Sequence, residues 1–380
     1  MTAPGRSGPP RIGFVIDALH PGAGTENQLL LLLRNFDRDR VCPRVACLVS
    51  KPVLENMPDT PSLTLGVNRL PSAAGVAGLR RLRRWMREER LHAVVTFFRD
   101  GNLWGTLAAR STGVPVISSR RNLGAGYWHN RRELFLLRRL NQWTRVWVAN
   151  SRAVADYTLA AEGAPADRMR VIPNAVDLDR FSAGSPVPTR EDLGLPRGRL
   201  VAAVANLRPV KNHALLFRAL PDLLVAEPDV RLLLVGEGDE EPRLRALADE
   251  LGVADRMVWL GSRSDVHHIL PHCDAVTLTS RSESSPNALV EAIAAGRPVA
   301  AVDTGGVGEL LTDPEIHRLA PPDQPQALAA ALAEVLAVPA DKTREAGRRA
   351  AAGLAKTRSV PVVLEDWYPL FDEVCGGRLS

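Results

Sequence analysis

Apolar residues along the chain fall into two kinds of run that alternate. Short, β-branched-rich stretches of strand length are followed by longer ones in which apolar residues recur every three or four positions, the spacing of a helix with one buried face. In the first half, Ile12–Ile16, Val94–Phe97, Val116–Ser118 and Val146–Ala149 read as strands, and a helix is expected from about Glu26 to Asn35. A second series has strands at Leu200–Ala205, Arg231–Val235, Met257–Leu260, Ala275–Thr279 and Val299–Val302. Its helices lie near His213–Ala226, Glu241–Leu251, Asp265–Leu270 and Pro286–Ala295. Strand–helix alternation predicts parallel sheets covered by helices. Two series of similar size imply an α/β protein of two Rossmann-like domains facing a central cleft, with ligands outside the carboxyl ends of the strands. Pro-containing polar stretches between Asn174 and Gly198 read as the linker, giving domains of 11–180 and 198–358.

Composition narrows the class. A chain of 380 residues, 45% hydrophobic and 24% charged, excludes wholesale disorder and suits two cores better than one. Met1 to Pro10 lacks the apolar stretch of a secretory leader. The apolar run Leu29–Leu33 is far short of the roughly 20 residues a membrane span needs. The expectation is a cytoplasmic protein that is not integral to a membrane. Cys42, Cys47, Cys273 and Cys375 form no C-x-x-C pair and read as reduced thiols.

The formal net charge of +5 hides an asymmetry. Residues 1–150 carry 23 basic and 10 acidic residues, whereas 151–380 carry 25 and 33. The stretches Leu79–Leu91 and Arg131–Trp147 mix Arg with Trp, Leu and Phe. On helices they would set a basic face beside an apolar one, a form that rests on anionic membranes. No nucleic-acid recognition motif accompanies the charge. Of the 48 basic residues only Lys51, Lys211, Lys342 and Lys356 are lysines.

Two constellations carry candidate chemistry. After the strand Ala275–Thr279 comes Ser282-Glu283-Ser284-Ser285-Pro286-Asn287-Ala288-Leu289-Val290-Glu291. Ser285 suits an N-cap and Pro286 a first helical position, so a helix should begin here. The N–H groups of Asn287, Ala288 and Leu289 at its positive end suit phosphate oxygens. Glu283 precedes that helix and Glu291 lies in it, a spacing that suits a nucleotide sugar, with one carboxylate near sugar hydroxyls and the other on a ribose diol. The second constellation, Asn206-Leu207-Arg208-Pro209-Val210-Lys211-Asn212, follows the strand Leu200–Ala205. An Arg and a Lys three apart can clamp a diphosphate and stabilise its departing charge. A third feature, Gly22-Ala23-Gly24-Thr25-Glu26, follows the first strand and is not a dinucleotide fingerprint.

Glu283-x7-Glu291, Lys211, Val171–Asp177 and Thr304-Gly305-Gly306-Val307-Gly308-Glu309-Leu310, in that arrangement, resemble the family-four retaining glycosyltransferases, whose architecture is GT-B. Leu232–Glu237 and Leu260–Val266 are similar to that family's counterparts, and the likeness runs through most of 12–315. The resemblance implies catalytic roles for Glu283, Lys211 and Arg208. It implies donor contacts from Glu291, Gly24, Asn206, Glu237, Arg263, Ser284, Ser285, Asn287, Ala288 and Leu289. It also implies that a C-terminal helix, 361–380, packs back on the first domain. Retention by front-face attack needs no protein nucleophile, and none is evident. The chain departs from the family pattern at Asn206, where Arg is usual and Arg208 is the nearest substitute. It departs again at Ser284, where Gly is usual, and at Ser118–Asn122, where a His is often found. Arg120 or Arg121 would face the acceptor there.

The expected function is a retaining, metal-independent glycosyltransferase without a cofactor. It would move a hexose-type sugar from a nucleotide-diphosphate sugar to a glycan or lipid-linked acceptor in polysaccharide or glycoconjugate synthesis. It would be cytoplasmic, peripheral at the inner face of an anionic membrane, and would not bind nucleic acid. The competing expectations are a sugar-nucleotide epimerase of the same plan, and a non-catalytic nucleotide- or glycan-binding protein.

Overall fold

The computed structural model describes residues 8–20, 22–54, 57, 60–67, 72–124, 131–181 and 187–376, with 131–133 by backbone alone. The chain divides into two compact units. One runs to Ala175 and takes up the chain again from Val360; the other is Val176–Ser359.

The first unit is built on β1 (Arg11–Ile16), β2 (Cys42–Cys47), β3 (Ser62–Thr64), β4 (Ala93–Thr96), β5 (Val116–Arg120), β6 (Thr144–Ala149) and β7 (Met169–Val171). All pair in parallel, in the order β3-β2-β1-β4-β5-β6-β7. The central strands are apolar at nearly every position, as a sheet covered on both faces requires: Phe14 of β1 lies between Val45 and Val95 and is fully buried. Parallel neighbours need crossovers, supplied by α1 (Gly24–Asn35), α2 (Ala73–Glu88), α3 (Arg99–Arg110), α4 (Arg131–Asn141) and α5 (Arg152–Glu162).

The second unit repeats the plan with β8 (Arg199–Val204), β9 (Val230–Val235), β10 (Met257–Gly261), β11 (Ala275–Leu278), β12 (Val299–Val302) and β13 (His317–Ala320), ordered β10-β9-β8-β11-β12-β13. Its helices are α6 (His213–Ala226), α7 (Glu241–Glu250), α8 (Val266–Ile269), α9 (Asn287–Ala294), α10 (Pro325–Leu336) and α11 (Ala340–Arg358). In each sheet the strand order reverses beside its first strand, between β1 and β4 and between β8 and β11. Helices on opposite faces diverge there and leave a crevice at the carboxyl ends.

Three sequence expectations are corrected. The stretch 174–198 is not a free linker: Val176, Leu193 and Leu195 are buried in the second unit's core, and Val176 N–H donates to the Arg358 carbonyl at 2.8 Å. The second unit therefore begins at Val176, so residues 176–180 leave the first domain. The basic stretch Arg131–Trp147 is helical only to Asn141; its second part is β6, where Trp147 is buried among β-branched neighbours. Finally, the helix expected from Pro286 begins at Asn287, with Pro286 extended before it.

The last helix, α12 (Val360–Gly376), belongs to the first unit's core; residues 377–380 of the expected C-terminal helix lie outside the described residues. Val363, Trp367, Leu370, Phe371 and Val374 share one face and are buried. The Phe371 ring sits 6.4 Å from that of Phe14 and 5.9 Å from that of Phe36. Asp37 N–H donates to the Tyr368 hydroxyl at 2.9 Å, and the Arg40 guanidinium lies 3.8 Å above the Tyr368 ring while pairing with Glu365 at 2.5 Å. Phe371→Ala is expected to cost the first unit about 3–5 kcal/mol. Denaturant titration followed by tryptophan fluorescence measures this, and a loss below about 1 kcal/mol would show the packing to be dispensable.

Candidate functional site

The loops at the carboxyl edge of the second sheet are stitched to one another by hydrogen bonds. After β8 the chain runs through Asn206, Leu207 and Arg208 into a 3-10 turn, Pro209–Lys211. Asn212 follows in the left-handed region (φ 51°), which Asn tolerates better than most residues, and reverses the chain into α6. Across the crevice, the loop after β11 returns two bonds: Thr279 Oγ1 donates to the Lys211 carbonyl at 3.0 Å, and Arg281 N–H to the Val210 carbonyl at 2.9 Å. The loop after β12 adds two more. Thr304 Oγ1 donates to the Arg281 carbonyl at 3.0 Å and Gly306 N–H to the Glu283 carbonyl at 3.1 Å.

These bonds bring Lys211 Nζ to 2.6 Å from Glu283 Oε1, residues 72 apart in sequence. The Glu283 side chain is buried and that of Lys211 half-buried. Arg208 is exposed at the start of the turn, with its N–H donating to the Asn206 carbonyl at 2.9 Å; Asn206 itself is half-buried. On the far side of β8, Leu207 N–H donates to the Glu237 carbonyl at 2.9 Å, and the Glu237 side chain is exposed. Gly236 and Gly238 flank it at φ 144° and 159°. A Cβ on Gly236 would stand 2.1 Å from the Ala205 carbonyl oxygen, and one on Gly238 2.4 Å from that of Leu207. Only glycine lets these two loops lie so close.

At α9, Pro286 stands at the cap position, and the buried hydroxyl of Ser285 accepts from Arg358 Nη1 at 3.2 Å. Leu289 is buried and its N–H is taken by the Pro286 carbonyl at 3.1 Å, whereas Ser284, Asn287 and Ala288 are half-buried beside Glu283. Glu291 points from α9 into a poorly hydrated position. Burial pushes its carboxyl up to about 7, with the Arg180 guanidinium pulling the other way. Arg263, after β10, forks Asp265 at 2.7 and 2.6 Å, which holds that carboxyl below the usual range. His213, at the start of α6, is buried, and burial together with Lys211 brings it down to about 4.

The first unit carries its own hollow at the corresponding edge. Thr25, Phe97, Phe98, Asn102, Arg121 and Asn122 line it together with Arg99, Ser119 and Arg120. Gly24 opens α1 one residue before Thr25. Phe98 takes φ 56° at the start of α3, a strained conformation for a side-chain-bearing residue. The two adjacent arginines are used differently. Arg120 is buried in an ion pair with Glu162 at 2.8 Å and also reaches Ser118 and Asn141. Arg121 donates to Ser119 at 3.2 Å and to Asn174 at 2.6 Å over the face of Phe97, and burial lowers it to about 10. Nearby, Asp17 accepts from Gly101 N–H at 2.7 Å, and burial raises it to about 6.

Thr279, Arg281, Thr304, Gly306, Gly236 and Gly238 were not singled out as site residues. Each follows a strand's carboxyl end, and Gly236, Thr304 and Gly306 also fall in the stretches that carry the family resemblance. Arg180 gave no signal, since it falls in the expected linker. Among the described residues no cluster of His, Cys, Asp and Glu has the arrangement of a metal site.

Two family models match the chain. Residues 22–180 match "Glycosyltransferase Family 4" and residues 189–352 match "Glycosyl transferases group 1". Among curated proteins, the D-inositol 3-phosphate glycosyltransferase of Segniliparus rotundus is 33% identical over 215 residues, covering 55% of this chain and 47% of that protein. The enzyme of the same name from Nocardia farcinica is 32% identical over 244 residues, covering 61% and 54%. The chain spans about half the length of the curated relatives it matches. Among solved structures, Anabaena HepE in complex with UDP and glucose superposes with a TM-score of 0.82 at 22% identity, covering 95% of this chain and 98% of that one. A glycosyltransferase from Rickettsia africae gives 0.84 at 17%, covering 96% and 98%. These two likenesses are of fold. With the two models together taking in 22–180 and 189–352, the chain belongs to the family-four glycosyltransferases and has the GT-B fold.

Proposed function

We propose that the chain is a retaining, metal-independent glycosyltransferase that moves a hexose-type sugar from a nucleotide-diphosphate sugar to a glycan or lipid-linked acceptor. The observation that carries this reading is the Lys211–Glu283 pair at the carboxyl edge between β8 and β11. In the ligand-free protein each is the other's counter-charge. A donor diphosphate offers Lys211 a stronger partner, and Glu283 is then released to a sugar hydroxyl. Arg208 and the first turn of α9 would take the remaining phosphate charge. Glu291 would accept two hydrogen bonds from a ribose diol, with Asn206, Glu237 and the backbone at Arg263 completing the nucleotide site. The reported complexes of HepE with UDP and UDP-glucose support a nucleotide-sugar donor.

In the reaction proposed, the acceptor hydroxyl attacks the anomeric carbon on the face the diphosphate leaves. The new C–O bond forms as the C–O bond to phosphate breaks, and the acceptor's proton passes to the departing phosphate oxygen. Lys211 and Arg208 stabilise the charge that grows on that oxygen. The first unit would hold the acceptor, with Arg121 lining its hollow and Arg120 keeping the strand end in shape. The names of the curated relatives support an acceptor bearing a phosphate, which a buried Arg suits.

The basic first half supports a place at an anionic membrane. No helix among the described residues is long and apolar enough to cross one. On and after α4, however, Phe135, Leu136 and Trp143 are exposed, Arg139 lies over Phe135 and Arg110 over Trp143.

Lys211→Ala is expected to lower kcat with an accepted donor by about a hundredfold or more; turnover near wild type would sink its role. Glu291→Gln should weaken nucleotide binding by about tenfold or more, the loss of charged hydrogen bonds to the ribose. The same change should raise the melting temperature of the ligand-free protein at pH 8. The folded carboxyl, at about 7, lies above its unfolded value, so between about pH 4.5 and 7 rising pH costs stability, and a neutral amide escapes that cost. The full chain should sediment with vesicles containing anionic lipid at low salt and be released at high salt; no binding at low salt would leave the charge to solubility.

A further inference from the structure

Helix α11 packs along α9 and meets it at both ends. Gly347 lies against the residue pair that closes α9: a Cβ on it would stand 2.3 Å from the Gly296 carbonyl oxygen. At the other end Arg358, the last residue of α11, donates from Nη1 to the Ser285 hydroxyl at 3.2 Å, just before α9 begins. At ~1.5 Å per residue the span Gly347–Arg358 covers about 16 Å, comparable with Ser285–Gly296, so the two helices run antiparallel and α11 brackets α9. Arg358 is itself anchored. Its carbonyl accepts from Val176 N–H at 2.8 Å, and Ser359 beside it forms a parallel bridge with Val176. Val176 and Ser359 are the first and last residues of the second unit, so the guanidinium springs from the point where the chain enters and leaves that unit. The loop it reaches carries Glu283, whose carbonyl accepts from Gly306 N–H at 3.1 Å and whose carboxylate meets Lys211 at 2.6 Å.

We propose that Arg358 is a positioning residue of the donor site. By its bond to Ser285 it fixes the stretch between Glu283 and α9, so that the Glu283 carboxylate meets the donor's sugar once the diphosphate has drawn Lys211 away. This rests on the reading of Glu283 as the sugar-binding group. Gly306 holds the backbone of Glu283, and Arg358 holds the side chain of Ser285, so the loop is fixed at two points on either side of Ser284. A cation is a costly choice for filling this place. Burial opposes its charge, with Glu309 acting the other way, and the amino end of α9 is the positive end of a helix. An apolar side chain would pack there without either cost, but it could not donate to Ser285.

The test is calorimetric titration of the full chain, first with UDP, GDP and ADP, then with the glucose, galactose, mannose and N-acetylglucosamine conjugates of the nucleotide bound most tightly. Wild type is compared with Arg358→Met, Arg358→Lys, Ser285→Ala, Glu283→Gln and the double variant Arg358→Met/Ser285→Ala. The readout is the ratio of conjugate to nucleotide affinity. A smaller folded fraction leaves that ratio alone, since it lowers the number of sites and not their affinity. Glu283→Gln should lower the ratio about tenfold or more, the loss of a charged contact to the sugar. Arg358→Met should lower it about fivefold, the order of one hydrogen bond, and Arg358→Lys, which can still donate to Ser285, should recover most of it. Adding Arg358→Met to Ser285→Ala should change the ratio no further, because Arg358 acts through that hydroxyl. A purely structural role would weaken nucleotide and conjugate equally, and that result overturns the proposal. So does a further loss in the double variant, or an unaltered Arg358→Met ratio beside a Glu283→Gln variant that has lost the sugar contact; each leaves the donor site standing. If Glu283→Gln keeps the wild-type ratio, or the wild type binds no nucleotide or no conjugate, the donor-site reading falls and takes this inference with it.

Discussion

Parallel pairing is the constraint on which everything else rests. A strand that pairs in parallel with its neighbour must cross back over the sheet before it can do so, and in both units helices make most of those crossings. Every strand then ends at the same edge. Polar residues that would be costly beneath the helices are free to collect there, and at the switch point diverging helices leave them room. The site residues of the second unit are scattered from Asn206 to Glu291 in sequence, yet all stand at or just past this edge.

Backbone carbonyls, taking bonds from both side-chain hydroxyls and N–H groups, tie that edge together. The loops after β8, β11 and β12 share bonds from Thr279, Arg281, Thr304 and Gly306, and the β9 loop is pressed against the β8 loop through Gly236 and Gly238. An oppositely charged pair set in such a frame loses little side-chain entropy on forming. The two arginines of the first unit show the same economy. Arg120 is fixed by a buried carboxylate, and Arg121 is held by a hydroxyl and an amide beside a hollow.

Much of the fold was legible in the sequence because its central elements are strongly periodic. The helix His213–Ala226 and the strand Val299–Val302 have the bounds their apolar pattern suggests. β2 was not legible, since Pro43 and Arg44 interrupt its apolar run, nor were β3 and β7, which are three residues long. α11 is rich in Ala, Gly and Arg and has only a thin apolar face. For the site, residue type and position after a strand pointed to Glu283 and Lys211, but their contact depends on β8 and β11 being neighbours, which no local pattern records. Ser285 shows the limit of local rules. By residue type it reads as the cap of α9, but Pro286 holds that position, and Arg358 of α11 donates to the Ser285 hydroxyl.

The position of α12 has a consequence for how the protein comes into being. The first unit's sheet is complete once synthesis passes β7, but Phe14 and Phe36 are covered by Trp367, Tyr368 and Phe371. The whole of residues 176–359 is made in between. The second unit can therefore close on itself as it leaves the ribosome, while the first waits with an aromatic face open to water or to chaperones, in reversal of the usual order in which the amino-terminal domain settles first.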